Sequence, residues 1–245
     1  MFNFALYCFM FNICLIFIID RFIFYIVSTI VMDKNIIFFC AHNDDQIVGA
    51  GGSIAKYSKE GYNVITVIFS YGEKSHPWMK AEHIINTRIK EALDSNNILG
   101  GGEVIFYDLK EGNFIKDYNE KGVEEKIKKL INDYKPQKIF FHSDDDMHPD
   151  HKSVNKIVMD LINNGSIISE AYTFDVWTLI DYKRMDSTRM VVDISNTFNA
   201  KIKAFKAHQS QKFALISLLW SVYFKAFLNG INYGYKYAEI FNKIR

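Results

Sequence analysis

Ile36-Ile37-Phe38-Phe39-Cys40-Ala41-His42-Asn43-Asp44-Asp45-Gln46 runs from an unbroken apolar stretch straight into a polar cluster with one imidazole and two carboxylates. A short apolar run bounded by a polar break predicts a strand buried on both faces, as in a parallel sheet. Three more such runs follow, Val64–Phe69, Val104–Tyr107 and Lys138–Phe141. Helix-spaced apolar residues separate them at about 48–60, 78–98 and 122–134, with another such stretch at 150–163. This alternation predicts an α/β fold: a doubly wound, mostly parallel, Rossmann-like sheet with helices on both faces. A strand pair, Ala171–Trp177 with Met190–Val192, and helices at about 196–208 and 212–228 are expected to complete it. In such sheets ligands bind beyond the carboxyl ends of the strands, so the residues just after each strand matter most.

The 245 residues are 49% apolar and 23% charged, with a formal net charge of +1. That composition suits one globular domain, taken as residues 32–245, and gives no field that would attract nucleic acid. Cys8, Cys14 and Cys40 form neither a disulfide framework nor a Cys/His metal motif, which fits a reducing, cytoplasmic setting. Residues 1–31 are a separate apolar segment with two readings. Residues 1–19 are just long enough to span a membrane, with Arg21 and Lys34 placing the domain on the cytoplasmic face. Equally, Met32 begins a stretch typical of a short α/β protein, which makes 1–31 a mis-called start. A cleavable signal fits less well, because no basic residue precedes the apolar run.

After the fourth expected strand the chain reads His142-Ser143-Asp144-Asp145-Asp146-Met147-His148-Pro149-Asp150-His151. Together with the cluster after the first strand, this offers carboxylates and imidazoles for one divalent ion. Catalytic zinc takes three such ligands and keeps one position open. Pro149 suits the first position of a helix, and His148 and His151, three apart, then share one helix face. Asp144–Asp146 lacks the glycine and glutamate of a calcium loop and reads as a solvated acidic turn. Gly49-Ala50-Gly51-Gly52 opens a helix, yet two carboxylates precede it and would repel a pyrophosphate. Close helix–sheet packing accounts for these glycines instead.

His42-Asn43-Asp44-Asp45-Gln46 and His148-Pro149-Asp150-His151 resemble the H-P-D-D-E and H-P-D-H signatures of the LmbE-like (PIG-L) family of metal-dependent N-acetylglucosaminyl deacetylases. Tyr71-Gly72-Glu73, Arg88–Ala92, the stretch Lys203–Gln211 and Tyr237–Phe241 extend the likeness to the C-terminus. The resemblance implies His42, Asp45 and His151 as metal ligands and Asp44 as general base. It implies His148, as imidazolium, as the partner of the substrate oxygen, with Asp150 orienting it. Asn43 replaces the family proline and Gln46 the glutamate, leaving the ligands intact. The implied activity is a zinc-dependent hydrolase that removes acetyl from an N-acetylglucosamine-type conjugate by way of metal-bound water. Another divalent ion would accept the same ligands.

Arg88, Tyr71, Glu73 and His76, with Trp78, are the expected sugar contacts. For Arg88 an ion pair with a core-edge carboxylate is the competing role. His208 either reaches the metal or caps its helix. The partner is a small amino-sugar conjugate, lipid-linked ones included, for which residues 1–31 would supply membrane association. A metal-dependent phosphoesterase and a non-catalytic sugar-binding protein are the alternatives.

Overall fold

The computed structural model describes residues 34–75, 80–177 and 188–245, with backbone only at Ser75 and residues 212–217. The apolar segment 1–31, His76 and Trp78 lie outside the described residues. Asn35–Arg245 form one compact unit by themselves.

Strand β1 (Asn35–Cys40) is buried at every position. Its side chains alternate between two cores: Ile36, Phe38 and Cys40 on one face of the sheet, Ile37 and Phe39 on the other. Such double-sided burial is why the run reads as continuously apolar. Each fully buried Phe or Ile stabilises the fold by about 1.5–3 kcal/mol.

The chain continues as helix α1 (Asp45–Lys59), β2 (Asn63–Ile68), α2 (Ala81–Leu99), β3 (Val104–Phe106), α3 (Phe114–Glu120), α4 (Val123–Tyr134) and β4 (Lys138–His142). Then come α5 (Pro149–Asn163), β5 (Glu170–Phe174), β6 (Arg189–Asp193), α6 (Phe198–Ala207), α7 (Lys212–Asn232) and β7 (Ala238–Lys243). The sheet order is β3-β2-β1-β4-β5-β7-β6, with the first five strands parallel and β7 antiparallel to both neighbours. Helices α1 and α6 pack on one face and α4 and α5 on the other. The expected doubly wound α/β architecture is what the structure has.

One pairing differs from expectation. The strands at 170–174 and 189–193 are not partners, because β7 lies between them and pairs with both. Its short sequence, Ala-Glu-Ile-Phe-Asn-Lys, carries a charge at an inward position and hides its strand character. That charge, Glu239, is buried against Lys201 Nζ at 2.6 Å. It also accepts hydrogen bonds from the Gly52 and Ser53 amides in the middle of α1, at 3.0 and 2.7 Å.

The glycines of α1 act as the sequence implies. A Cβ on Gly49 would collide with the Phe174 ring, and one on Gly52 would stand 2.7 Å from Ile194. Their absence lets the helix that begins at Asp45 lie close on the sheet. Among the described residues, no helix is long and apolar enough to cross a membrane.

Candidate metal centre

β1 and β4 are adjacent and parallel, so the loops after them meet at one edge of the sheet. The turn after β1 is braced from beneath. Asn43 donates from Nδ2 to the Arg88 carbonyl at 2.7 Å and accepts from Arg88 Nη2, so hydrogen bonds hold the turn that a proline ring would otherwise stiffen. Gln46 donates to the Asn43 carbonyl at 3.0 Å. Pro149 opens α5 as expected, with His148 at the N-cap.

Three expected ligands converge. Asp45 Oδ1 lies 3.2 Å from His151 Nε2, and Asp45 Oδ2 lies 3.5 Å from His42 Nδ1. Asp45 Oδ2 also accepts from the His42 amide at 2.7 Å, which fixes the carboxylate. His151 turns its Nδ1 toward Asp146 Oδ2, 3.0 Å away, so its Nε2 lone pair faces Asp45. A lone pair and a carboxylate oxygen at that distance repel unless a cation or a proton lies between them. Both ring nitrogens of His151 are moreover buried, with no partner besides these two carboxylate contacts. The donor set therefore fits a divalent ion.

His142, the last residue of β4, is a further imidazole with no role expected from sequence. It is fully buried, its ring stacks on His151 with centroids 3.9 Å apart, and its Nε2 lies 3.2 Å from Asp45 Oδ2. Asp45, His142 and His151 form one group able to hold an ion, and His42, His148 and His151 form another that shares His151. His142 Nε2 accepts from the Ala41 amide at 3.0 Å, which makes it a clamp between β1 and β4 and engages that nitrogen's lone pair, so it would bind an ion only by giving up this bond. Only its place at a strand end next to the β1 loop could have signalled it.

Asp146 is a correction. It is wholly buried rather than a solvated turn residue. Besides His151 it takes the amides of His148 at 3.1 Å, Val176 at 3.1 Å and Trp177 at 3.4 Å. Glu111, after β3, was also missed; its Oε1 stands 3.6 Å from His42 Nε2.

The electrostatics are those of a site built for a cation. Burial opposes charge on His42, yet its contacts with Asp150 and Asp45 push its pKa up to about 10. Burial likewise opposes charge on His151, but Asp45 and Asp146 raise it to about 9. Burial and the neighbouring His151 charge push His142 down to about 4. Asp45 is held well below the usual carboxylate range, its burial outweighed by His151 and His142.

Asp44 and His148 border the same cleft, with Arg88, Glu111, Val48, Val176, Trp177, Gln211 and Leu218 also on its walls. Asp44 Oδ1 is 3.6 Å from Arg88 Nη2. Asp150 holds His148 through its backbone, its N–H donating to His148 Nδ1 at 3.2 Å. Its carboxylate goes elsewhere, to His42 Nε2 at 3.3 Å and the Gly112 amide at 2.9 Å. Burial and the charges of His42 and His151 push the His148 pKa down, which favours neutral imidazole over the expected imidazolium.

Arg88 is buried under Gly72, where a Cβ would stand 2.6 Å from its Cζ, and it borders the cleft with Asp44 as its carboxylate neighbour. Tyr71 and Glu73 are not among the described residues lining the cleft. Tyr71 stacks on Phe106, and Glu73 ties Ser70 Oγ to the Glu111 amide. His208 sits at the C-cap of α6, contacts Ser95 Oγ at 3.1 Å and belongs to neither candidate ligand group.

Comparison with known proteins bears on the fold and the family. A 4-oxalmesaconate hydratase from Pseudomonas putida is 29% identical over 149 residues, covering 56% of this chain and 54% of the relative. The chain thus spans about half the length of that relative. A probable N-acetyl-α-D-glucosaminyl L-malate deacetylase 2 from Bacillus cereus is 22% identical, over 76% of this chain and 87% of the relative. Among solved structures, N,N'-diacetylchitobiose deacetylase from Pyrococcus horikoshii superposes with a TM-score of 0.72 at 20% identity, covering 86% of this chain and 84% of that one, which shows the shared fold. The family model described as PIG-L: GlcNAc-PI de-N-acetylase matches residues 37–162, the span that holds both ligand loops, and the chain belongs to that family.

Proposed function

We propose that the chain is a metal-dependent hydrolase that removes the acetyl group from an N-acetylglucosamine-type conjugate, with zinc as the ion. The observation that carries this reading is the meeting of Asp44 and His148 at one cleft with His42, Asp45 and His151. A divalent ion held by those three residues supplies Lewis acidity, polarising a carbonyl and making hydroxide available near neutral pH.

The remaining work falls to the chain's own groups. Asp44 stands next to the ligand Asp45 and accepts the proton of the attacking water. His148 uses its Nδ1 as an acceptor for the Asp150 N–H, so in the neutral ring Nε2 carries the hydrogen. That N–H is a fixed donor for the oxygen of the tetrahedral species. Loss of one such donor typically costs about 10²–10³ in rate. Asp44 then returns its proton to the leaving nitrogen.

A relative named as a hydratase shows that this fold is also used for a different kind of reaction. The test is acetate release from N-acetylglucosamine conjugates by residues 32–245, with and without added zinc. Asp44→Ala is expected to keep its metal content and lose about 10²–10⁴ in kcat. Full metal loading with no acetate from any sugar conjugate would overturn the deacetylase reading.

A further inference from the structure

Helix α7 is apolar on two opposite faces. One is spent on the fold: Val222 and Ala226 are buried in the core, with Leu218 and Leu219 packed against it. The other carries Trp220, Tyr223, Phe224, Phe227 and Ile231, each 41–60% exposed. Their spacing of i, i+3, i+4, i+7 and i+11 makes one continuous stripe along a helix. The Trp220 and Phe224 rings lie 5.9 Å apart, centroid to centroid, and Tyr223 leans on the buried Phe198 at 4.9 Å. The turn after α7 folds back onto the helix end. Tyr235 donates its N–H to the Gly230 carbonyl at 2.8 Å, and a Cβ on Gly230 would stand 2.7 Å from the Tyr235 carbonyl. Tyr233 and Tyr235, both exposed, therefore border the C-terminal end of the stripe.

Half of the large apolar side chains exposed among the described residues lie on this one helix and its turn. A helix apolar all round is ordinarily a buried one. Aromatic side chains offer about 150–250 Å² each, so the exposed fractions leave roughly 600 Å² of apolar surface uncovered. That is at the upper end of the largest patch on a typical monomer, about 300–600 Å². Charge decides between the surfaces that could cover it. From Phe213 to Tyr235 the sequence has one formal charge, Lys225. Its Nζ donates to the Asp175 carbonyl at 3.2 Å, and with Ser221 and Asn229 it forms a separate polar seam at i, i+4 and i+8. A helix that lies on a bilayer draws on several Lys and Arg along its polar face, and α7 has a single lysine already engaged. The core of a protein interface is rich in aromatic residues and poor in charges, which is the composition of this stripe.

We propose that the α7 stripe is an interface between two copies of this chain, packed as antiparallel helices about a twofold axis. Two such patches together bury about 1,200 Å², which reaches the range of specific, stable interfaces, about 1,200–2,000 Å². The stripe is its own complement. With the axis between Phe224 and Phe227, Phe224 of one copy meets Phe227 of the other twice over, and Trp220 of each reaches Ile231 of the other. The pairing concerns assembly and stands apart from the deacetylase reading.

The test is sedimentation velocity of the full chain and of residues 32–245 over a range of micromolar concentrations. Both are expected to sediment as two copies. In the unmodified protein, tryptophan emission is expected to move to the red on dilution, as Trp220 meets water. Phe224→Lys and Phe227→Glu, at exposed positions, are each expected to weaken pairing by about tenfold or more, with circular dichroism and zinc binding unchanged. Mixing these two variants is expected to restore pairing, because the new ammonium of one then faces the new carboxylate of the other while one Phe pair stays intact. A single copy at every concentration overturns the proposal. So does a two-copy mass that neither substitution weakens, which puts the contact elsewhere. A mixture that pairs no better than its components overturns the antiparallel register. A full chain that stays single while residues 32–245 pair overturns the proposal in favour of the N-terminal segment as the cover. Single-copy protein that sediments with neutral phosphatidylcholine vesicles, and no longer does so as Phe227→Glu, overturns it in favour of lipid.

Discussion

Replacing Asp146 with Asn should weaken the metal centre although Asp146 itself is no ligand. The carboxylate lies 3.0 Å from His151 Nδ1 and accepts three backbone amides. An amide group has one accepting oxygen and one donating nitrogen. If the oxygen keeps the His148 amide, the nitrogen faces His151, whose Nδ1 must then become an acceptor. The ring hydrogen moves to Nε2, the atom that points at Asp45, and that nitrogen can no longer bind an ion. Losses of this type run to about 10–100-fold in metal affinity, or about 1.4–2.7 kcal/mol. The assay is zinc competition against a chromophoric chelator, with the His151 tautomer read from nitrogen chemical shifts and exposed Asp144→Asn as control. A folded Asp146→Asn chain that binds zinc within twofold of wild type would refute the argument.

The same residue predicts an acid response. Burial raises the Asp146 carboxyl, but its contact with His151 holds it down to about 2 from 3.8. In metal-free protein this stabilisation, about 2 kcal/mol, is present above pH 4 or so and lost as pH falls toward 2.

Zinc uptake near neutral pH should release about two protons per ion, because His42 and His151 hold theirs up to about 10 and 9 in the metal-free site. Affinity then tightens as pH rises; calorimetry in buffers of different ionisation enthalpy reads the count, and release of less than half a proton contradicts it. Gly52→Ala should lower stability by about 1–3 kcal/mol, since the new methyl meets the branched Ile194 side chain rather than a flexible tip. An unchanged melting temperature would show that the α1–sheet contact is looser than described. Lys201→Met strands a buried Glu239 and should cost about 3–5 kcal/mol, with partial recovery when Glu239→Gln is added. Denaturant midpoints of the single and double variants settle it.

The buried strands were legible in the sequence because burial on both faces erases alternation: β1, β2 and β4 appear as apolar runs within a residue of their ends. The meeting of the two polar loops was legible because parallel pairing of β1 with β4 forces their ends together. β7 was not, since it carries the charged Glu239 inward to a partner 38 residues away. Asp146 failed for a related reason. Three consecutive aspartates look solvated, and only the fold reveals that one of them turns inward to collect amides from residues some thirty positions later. His142 was read as the first residue after the strand and given no role of its own, although a strand's end is where these sheets meet their ligands. The sugar contacts expected after β2 came from loop position alone, and position does not fix where a side chain points.

The grip of Glu239 on the middle of α1 has a consequence for the protein's birth. The helix that begins with Asp45 donates two hydrogen bonds to a residue 186–187 positions later in the chain. At about 5–20 residues per second, a ribosome needs roughly 10–40 s to bridge that interval. During that time Asp45 opens a helix that lacks its clasp, with His42 in the turn just before it. Until residue 239 emerges this helix lacks two of its tertiary hydrogen bonds, so its final seat on the sheet comes late in the life of the nascent chain.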